Sequence, residues 1–213
     1  MLLFPTKLLT LNSKLQKRHL MNLPNKLTVG RILLVPLFVA AMLIPFPLHN
    51  LAALILFSAA SITDMLDGKI ARKRGLITDF GKFADPLADK ILVLAAMLCL
   101  VQNGLCDCVA VIIVLLREFS VTSIRLIAST KGKVIAANIW GKVKTVTQMT
   151  ALIIIMVLQS VCDIIKLSGG VVTEDLSLIF FIIGEVLIWI STFFAIISGV
   201  IYVKQNFHFI SET

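Results

Sequence analysis

Six apolar stretches run through this chain, at roughly 29–48, 50–71, 84–103, 108–128, 144–165 and 177–203. Each is close to the ~20 residues that carry a helix across the hydrocarbon layer of a bilayer. In lipid every backbone N–H and C=O must be satisfied within the protein, and a helix does this segment by segment. The expected fold is therefore an all-α integral membrane protein with six transmembrane helices. Turn and charge signals separate the stretches: Pro45 and Pro47, Lys73-Arg74-Gly75, Asn103-Gly104, Lys131-Gly132-Lys133 and Ser168-Gly169-Gly170.

Composition agrees. Hydrophobic residues make up 58% of the 213 and charged residues 15%, against about 45–50% and about 25% in ordinary soluble domains. A formal charge of +8 would suggest a nucleic-acid partner in a soluble protein. Here its placement reads as topology, and no nucleic-acid partner is expected. With the N-terminus inside, Lys7, Lys14, Lys17, Arg18, Lys26, the basic residues of 69–82 and 131–144, and Lys204 all fall on the cytoplasmic side. Lys166 alone falls outside, beside Asp163, Glu174 and Asp175. The positive-inside rule then gives N-in and C-in.

Residues 1–20 hold basic residues and no acid, and Pro5 and Lys7 break their apolar run. They are expected to be an N-terminal extension, either an interfacial basic segment or the product of an early start codon, with the membrane domain covering 21–213. The four cysteines, Cys99, Cys106, Cys108 and Cys162, lack metal-site spacing and read as small apolar residues. A bridge between Cys108 and Cys162 is left open, since both fall near the outer surface.

The costly residues in such a chain are intramembrane acids. An Asp at a helix centre costs about 2.5–3.5 kcal/mol to insert, yet Asp64, Asp67, Asp85 and Asp89 sit at the inner ends of the second and third stretches. Spacings of three and four place each pair on one helical face. The short connection from Lys73 to Lys82 predicts antiparallel neighbours, so that both pairs converge on one volume. Four carboxylates suit hard divalent cations, Mg²⁺ or Mn²⁺, better than zinc, and two such ions are the usual phosphoryl-transfer arrangement. The bland alternative is interfacial carboxylates paired with Lys69, Arg72, Lys73 and Lys90. Gly68 and Gly81, with Ala71 one turn beyond Asp67, leave one face open to close approach.

Written out, the segment reads Asp64-x-x-Asp67-Gly68-x-x-Ala71-Arg72, eight residues, then Gly81-x-x-x-Asp85-x-x-x-Asp89. It matches every fixed position of the CDP-alcohol phosphotransferase signature, and eight such positions agree by chance on the order of once in 10¹⁰ starts. Within that family the resemblance is closest to the branch that makes phosphatidylglycerol phosphate. It covers residues 21 to about 150 through Asn22-Leu-Pro-Asn25-Lys-Leu-Thr28-Val-Gly-Arg31, Arg117-Glu118-Phe119, Arg125-Leu126, Gly141-Lys142-Val143-Lys144-Thr145 and Gln148-Met149.

The resemblance implies that sn-glycerol 3-phosphate attacks CDP-diacylglycerol, releasing CMP, at the cytoplasmic face of a bacterial inner membrane. It further implies that Asp64, Asp67, Asp85 and Asp89 ligate metal, with Asp89 also the general base. CDP would lie along Gly68, Ala71, Arg72 and Gly81, with Asn25 and Thr28 nearby, and the protein would be a homodimer. The acceptor's phosphate needs counter-charge, for which Arg117, Arg125, Lys142 and Lys144 are the candidates, joined by Arg31. Idle arginines eight residues apart on roughly one side of an apolar helix would be expensive, and guanidinium grips phosphate bidentately. Glu118 is expected to orient Arg117 or balance its charge, and Glu185 has no assigned role. Two alternatives stand beside this: a sister phosphotransferase using inositol phosphate or another acceptor, and a divalent-metal transporter, whose sites lie nearer the midplane.

Overall fold

The computed structural model describes residues 23–74, 79–131, 133, 135 and 138–207, and side chains within the helices outside 23–29 and 64–89. The described residues form six helices and no strand: α1 (Leu23–Leu43), α2 (His49–Arg74), α3 (Asp79–Gln102), α4 (Cys108–Thr130), α5 (Ile139–Leu167) and α6 (Glu174–Asn206).

The apolar stretches foretold the helices one for one, with differences at the ends. The first was expected to run to 48 but stops at Leu43. Pro45 disfavours helical backbone at the residue before it, and the turn closes with Leu48 at φ 61°. The other helices extend a few residues past their apolar spans, because polar turns continue the same backbone hydrogen bonding. Asn138 and Thr173 cap α5 and α6 through bonds to the N–H of Gly141 and Leu176. Asp107 caps α4 through the N–H of Val109.

Long side chains meet small ones in the core. Ala53, Ala60, Ala96, Ala110 and Ala195 are fully buried, letting backbones approach. Phe38 of α1 and Phe57 of α2 pack with ring centroids 5.7 Å apart. Large apolar residues also face outward on every helix, among them Leu37, Ile55, Leu98, Leu116, Val157 and Ile190. Such a surface needs an apolar solvent. α5 and α6 are each long and apolar enough to cross a membrane, while the apolar runs Gly30–Leu43, His49–Thr63 and Lys90–Gln102 are shorter.

Two contacts fix the direction of helices. Asn103 Nδ2, just past α3, donates to the Met42 carbonyl at the end of α1, so α1 and α3 run the same way. The backbone N–H and Nδ2 of Asn50, at the start of α2, donate to the carboxylate of Asp163 near the end of α5, so these two run opposite ways.

α2 and α3 run antiparallel, as the short connection predicts, since α1 runs parallel to α3 and antiparallel to α2. Among the described residues they touch sparsely, and each packs extensively along α1. The Phe38–Phe57 pair and the Asn103–Met42 bond belong to those α1 contacts, and the expected convergence of the aspartate pairs falls on side chains outside the described residues. α4 packs chiefly on α6, and α5 on α6 and α2.

Candidate active site

The aspartate signature occupies two helices. Asp64 and Asp67 lie in the last three turns of α2, and Asp85 and Asp89 lie in the first three of α3. Their side chains, and those of Asn25, Thr28, Gly68, Ala71, Arg72 and Gly81, fall outside the described residues.

The described geometry begins one residue after Asp89. Lys90 lines a cavity of about 70 Å³ together with Val93 and Leu94 of α3, Val114 and Glu118 of α4, and Lys144, Thr145 and Gln148 of α5. Lys90 Nζ donates to Thr122 Oγ1, which in turn donates to the Glu118 carbonyl at 2.7 Å. A charged head is thereby drawn from α3 onto α4.

Glu118 is the hub of this cavity. A single oxygen, Oε1, accepts from Lys144 Nζ at 2.6 Å and from Arg117 Nη1 at 2.7 Å. These are the short distances of charge-assisted bonds. Arg117 Nη2 donates to Ser198 Oγ of α6 at 2.6 Å. Two glycines make the slot for this guanidinium. A Cβ on Gly199 would lie 3.0 Å from Arg117 Cγ, and one on Gly141 would lie 3.4 Å from Nη2.

The remaining predicted cations separate into different settings. Arg125 donates from Nε to Tyr202 Oη at 3.1 Å, and its guanidinium lies over the Tyr202 ring, 5.4 Å from the centroid. Arg117 meets Ser198 and Arg125 meets Tyr202, so α4 and α6 run in the same direction. Lys142 is exposed at the start of α5. Arg31 is 1% exposed within the bundle. Of the predicted acceptor-binding residues the structure therefore joins Arg117 and Lys144 through Glu118, while Arg125 turns to Tyr202.

Sequence reasoning missed Lys90 as a cavity residue and missed the double engagement of Glu118. The first had a signal, a lysine adjoining the signature aspartate. The second had none, because Lys144 is 26 residues away and comes near only because α4 and α5 both pack on α6.

A second buried polar cluster lies at the opposite end. Asp163 accepts from Asn50 N at 2.9 Å and Asn50 Nδ2 at 3.1 Å, and His49 Nε2 is 3.9 Å from its Oδ1. Near it, all four cysteines are free, with Cys108 exposed and Cys162 buried. Burial above all, with the charges of Glu185 and Asp107, pushes the Cys106 thiol up to about 12.

A family model described as CDP-alcohol phosphatidyltransferase matches residues 21–197. The chain belongs to that family. It is similar to the CDP-diacylglycerol–glycerol-3-phosphate 3-phosphatidyltransferase of Bacillus subtilis, with 40% identity over 197 residues, 87% of this chain and 95% of that protein. The protein of the same name from Rickettsia bellii shares 36% over 183 residues, 86% and 94% of the two chains. A cardiolipin synthase (CMP-forming) from Oryza sativa shares 34% over 200 residues, covering 87% of this chain and 57% of that one.

Proposed function

We propose that this protein is a membrane phosphotransferase that moves the phosphatidyl group of CDP-diacylglycerol to sn-glycerol 3-phosphate, giving phosphatidylglycerol phosphate and CMP. The observation that carries the reading is its near full-length likeness to bacterial proteins of that name. The complete signature from Asp64 to Asp89 supplies the chemistry.

Asp64, Asp67, Asp85 and Asp89 are the proposed holders of two divalent cations, Mg²⁺ or Mn²⁺. The donor set fits: it is all oxygen, it contains no sulfur or imidazole, and it comes in one-turn pairs on two helices. When bound, such ions offset negative charge on the diphosphate and on departing CMP. Asp89 takes the proton from the acceptor hydroxyl as that oxygen bonds to the phosphorus bearing diacylglycerol. The pyrophosphate P–O bond then breaks and CMP leaves with the electron pair. A positioned carboxylate base contributes about 10²–10⁴-fold to such a step. Asn25, Thr28, Gly68, Ala71, Arg72 and Gly81 would hold CDP. The acceptor phosphate would be held by Lys144 and Arg117, with Arg31, Arg125 and Lys142 as further members.

The proposed setting is a bacterial inner membrane crossed by six spans, N-in and C-in, with the site facing the cytoplasm and the protein a homodimer. The basic residues concentrated at one set of helix ends support that orientation. Both water-soluble substrates would then enter from the cytoplasm while the acyl chains stay in lipid. The test is CMP release by purified protein offered CDP-diacylglycerol with glycerol 3-phosphate or inositol phosphate. Turnover with glycerol 3-phosphate is expected; turnover confined to inositol phosphate would transfer the assignment to a sister reaction.

A further inference from the structure

We propose that Glu118 is a positioning residue for the acceptor phosphate, fixing where Lys144 and Arg117 stand and how much positive charge the cavity carries. This rests on the reaction proposed above.

One carboxylate oxygen holds a cation from α5 and a cation from its own helix. The two nitrogens therefore stand no farther apart than those two bonds laid end to end. Like charges at such separation repel strongly at a half-buried site. Glu118 is what the structure offers to hold them together. Removing it would leave Arg117, already locked by Ser198 and by the slot at Gly141 and Gly199, with an uncompensated charge. Lys144 would be freer still, being a point charge on a flexible stem.

Charge count points the same way. Among the described residues, Lys90, Lys144 and Arg117 bring three positive charges to the cavity and its wall, and Glu118 removes one. That surplus of two among the described residues suits a phosphate dianion. Lys144 gives one of its three N–H donors to Glu118, which leaves donors for an incoming oxyanion. Arg117 gives one N–H from each terminal nitrogen to Glu118 and Ser198, which fixes its guanidinium and leaves an N–H on each for the oxyanion. A phosphorylated acceptor is favoured, and a neutral alcohol gains nothing from such a surplus.

The test uses the full-length enzyme in detergent with CDP-diacylglycerol, comparing wild type, Glu118→Gln, Glu118→Asp and Ser198→Ala. Glu118→Gln is expected to raise KM for glycerol 3-phosphate about tenfold or more while KM for CDP-diacylglycerol stays within about twofold. Glu118→Asp keeps the charge and should recover at least about threefold of that loss. Ser198→Ala should shift the same KM by about two- to fivefold. An unaltered acceptor KM in Glu118→Gln overturns the proposal, as does an equal rise for both substrates with no recovery in Glu118→Asp. If Glu118→Gln is not recovered folded, an unaltered acceptor KM in Ser198→Ala overturns it. Wild type that ignores glycerol 3-phosphate overturns the reaction itself, a result distinct from all of these.

Discussion

Two buried polar clusters sit at opposite ends of the bundle, and their bookkeeping differs. At one end Glu118 serves two cations, with Lys90 close by and a cavity between the helices. At the other, Asp163 is matched by the Asn50 N–H in the first turn of α2, the Asn50 amide and a nearby imidazole, and none of these residues lines the cavity. A carboxylate at a helix N-terminus is a stabilising device that uses up its own acceptors. A cluster whose described residues carry surplus positive charge beside open space suits the anion proposed for it. Both cost desolvation, so on the proposed reading the difference between them is one of purpose: one closes the fold, the other receives the acceptor phosphate.

That contrast can be broken by substitution. The largest effect is expected beside the surplus cluster, where Asp89→Asn should cut CMP release by about 10³-fold or more while circular dichroism of the purified protein stays unaltered. Unchanged turnover would remove Asp89 from the chemistry. Lys144→Met should be milder, raising KM for glycerol 3-phosphate about tenfold with KM for CDP-diacylglycerol nearly constant. Initial rates at varied concentrations of each substrate decide this.

At the opposite end the signature should invert. Asp163→Asn is expected to cost about 1–3 kcal/mol of stability, seen as a lower melting temperature in detergent, with kcat/KM within about twofold of wild type. A large kinetic loss without a stability loss would erase the distinction between the ends.

The smallest effect sharpens the topology rather than the energetics. An impermeant maleimide added to spheroplasts at pH 8 should label Cys108, which is exposed, and spare Cys106. A thiol pushed up to about 12 holds little thiolate at pH 8, and its labelling should grow only as pH climbs toward that value. Labelling of Cys108 solely after lysis would reverse the proposed orientation.

The sequence made these helices legible because a bilayer-length apolar run has few alternatives, and it missed mainly where a proline acted at the first helix's end. It also exposed the aspartate signature and Arg117, since charge in an apolar stretch is conspicuous. It read α2 and α3 as antiparallel but did not reveal that α1 packs along both. A ten-residue connection brings two ends near each other, but the fit of Phe38, Phe57 and the buried alanines chooses α1 as the shared neighbour.

What the chain by itself determined is the number of helices, the family signature and the kind of chemistry, all of which are properties of local pattern and residue type. What only the tertiary structure decided is which cations share a carboxylate. Lys144, Glu118, Arg117 and Ser198 are brought together by three helices, and a contact of that kind depends on how faces meet across long sequence separations, which no local periodicity records.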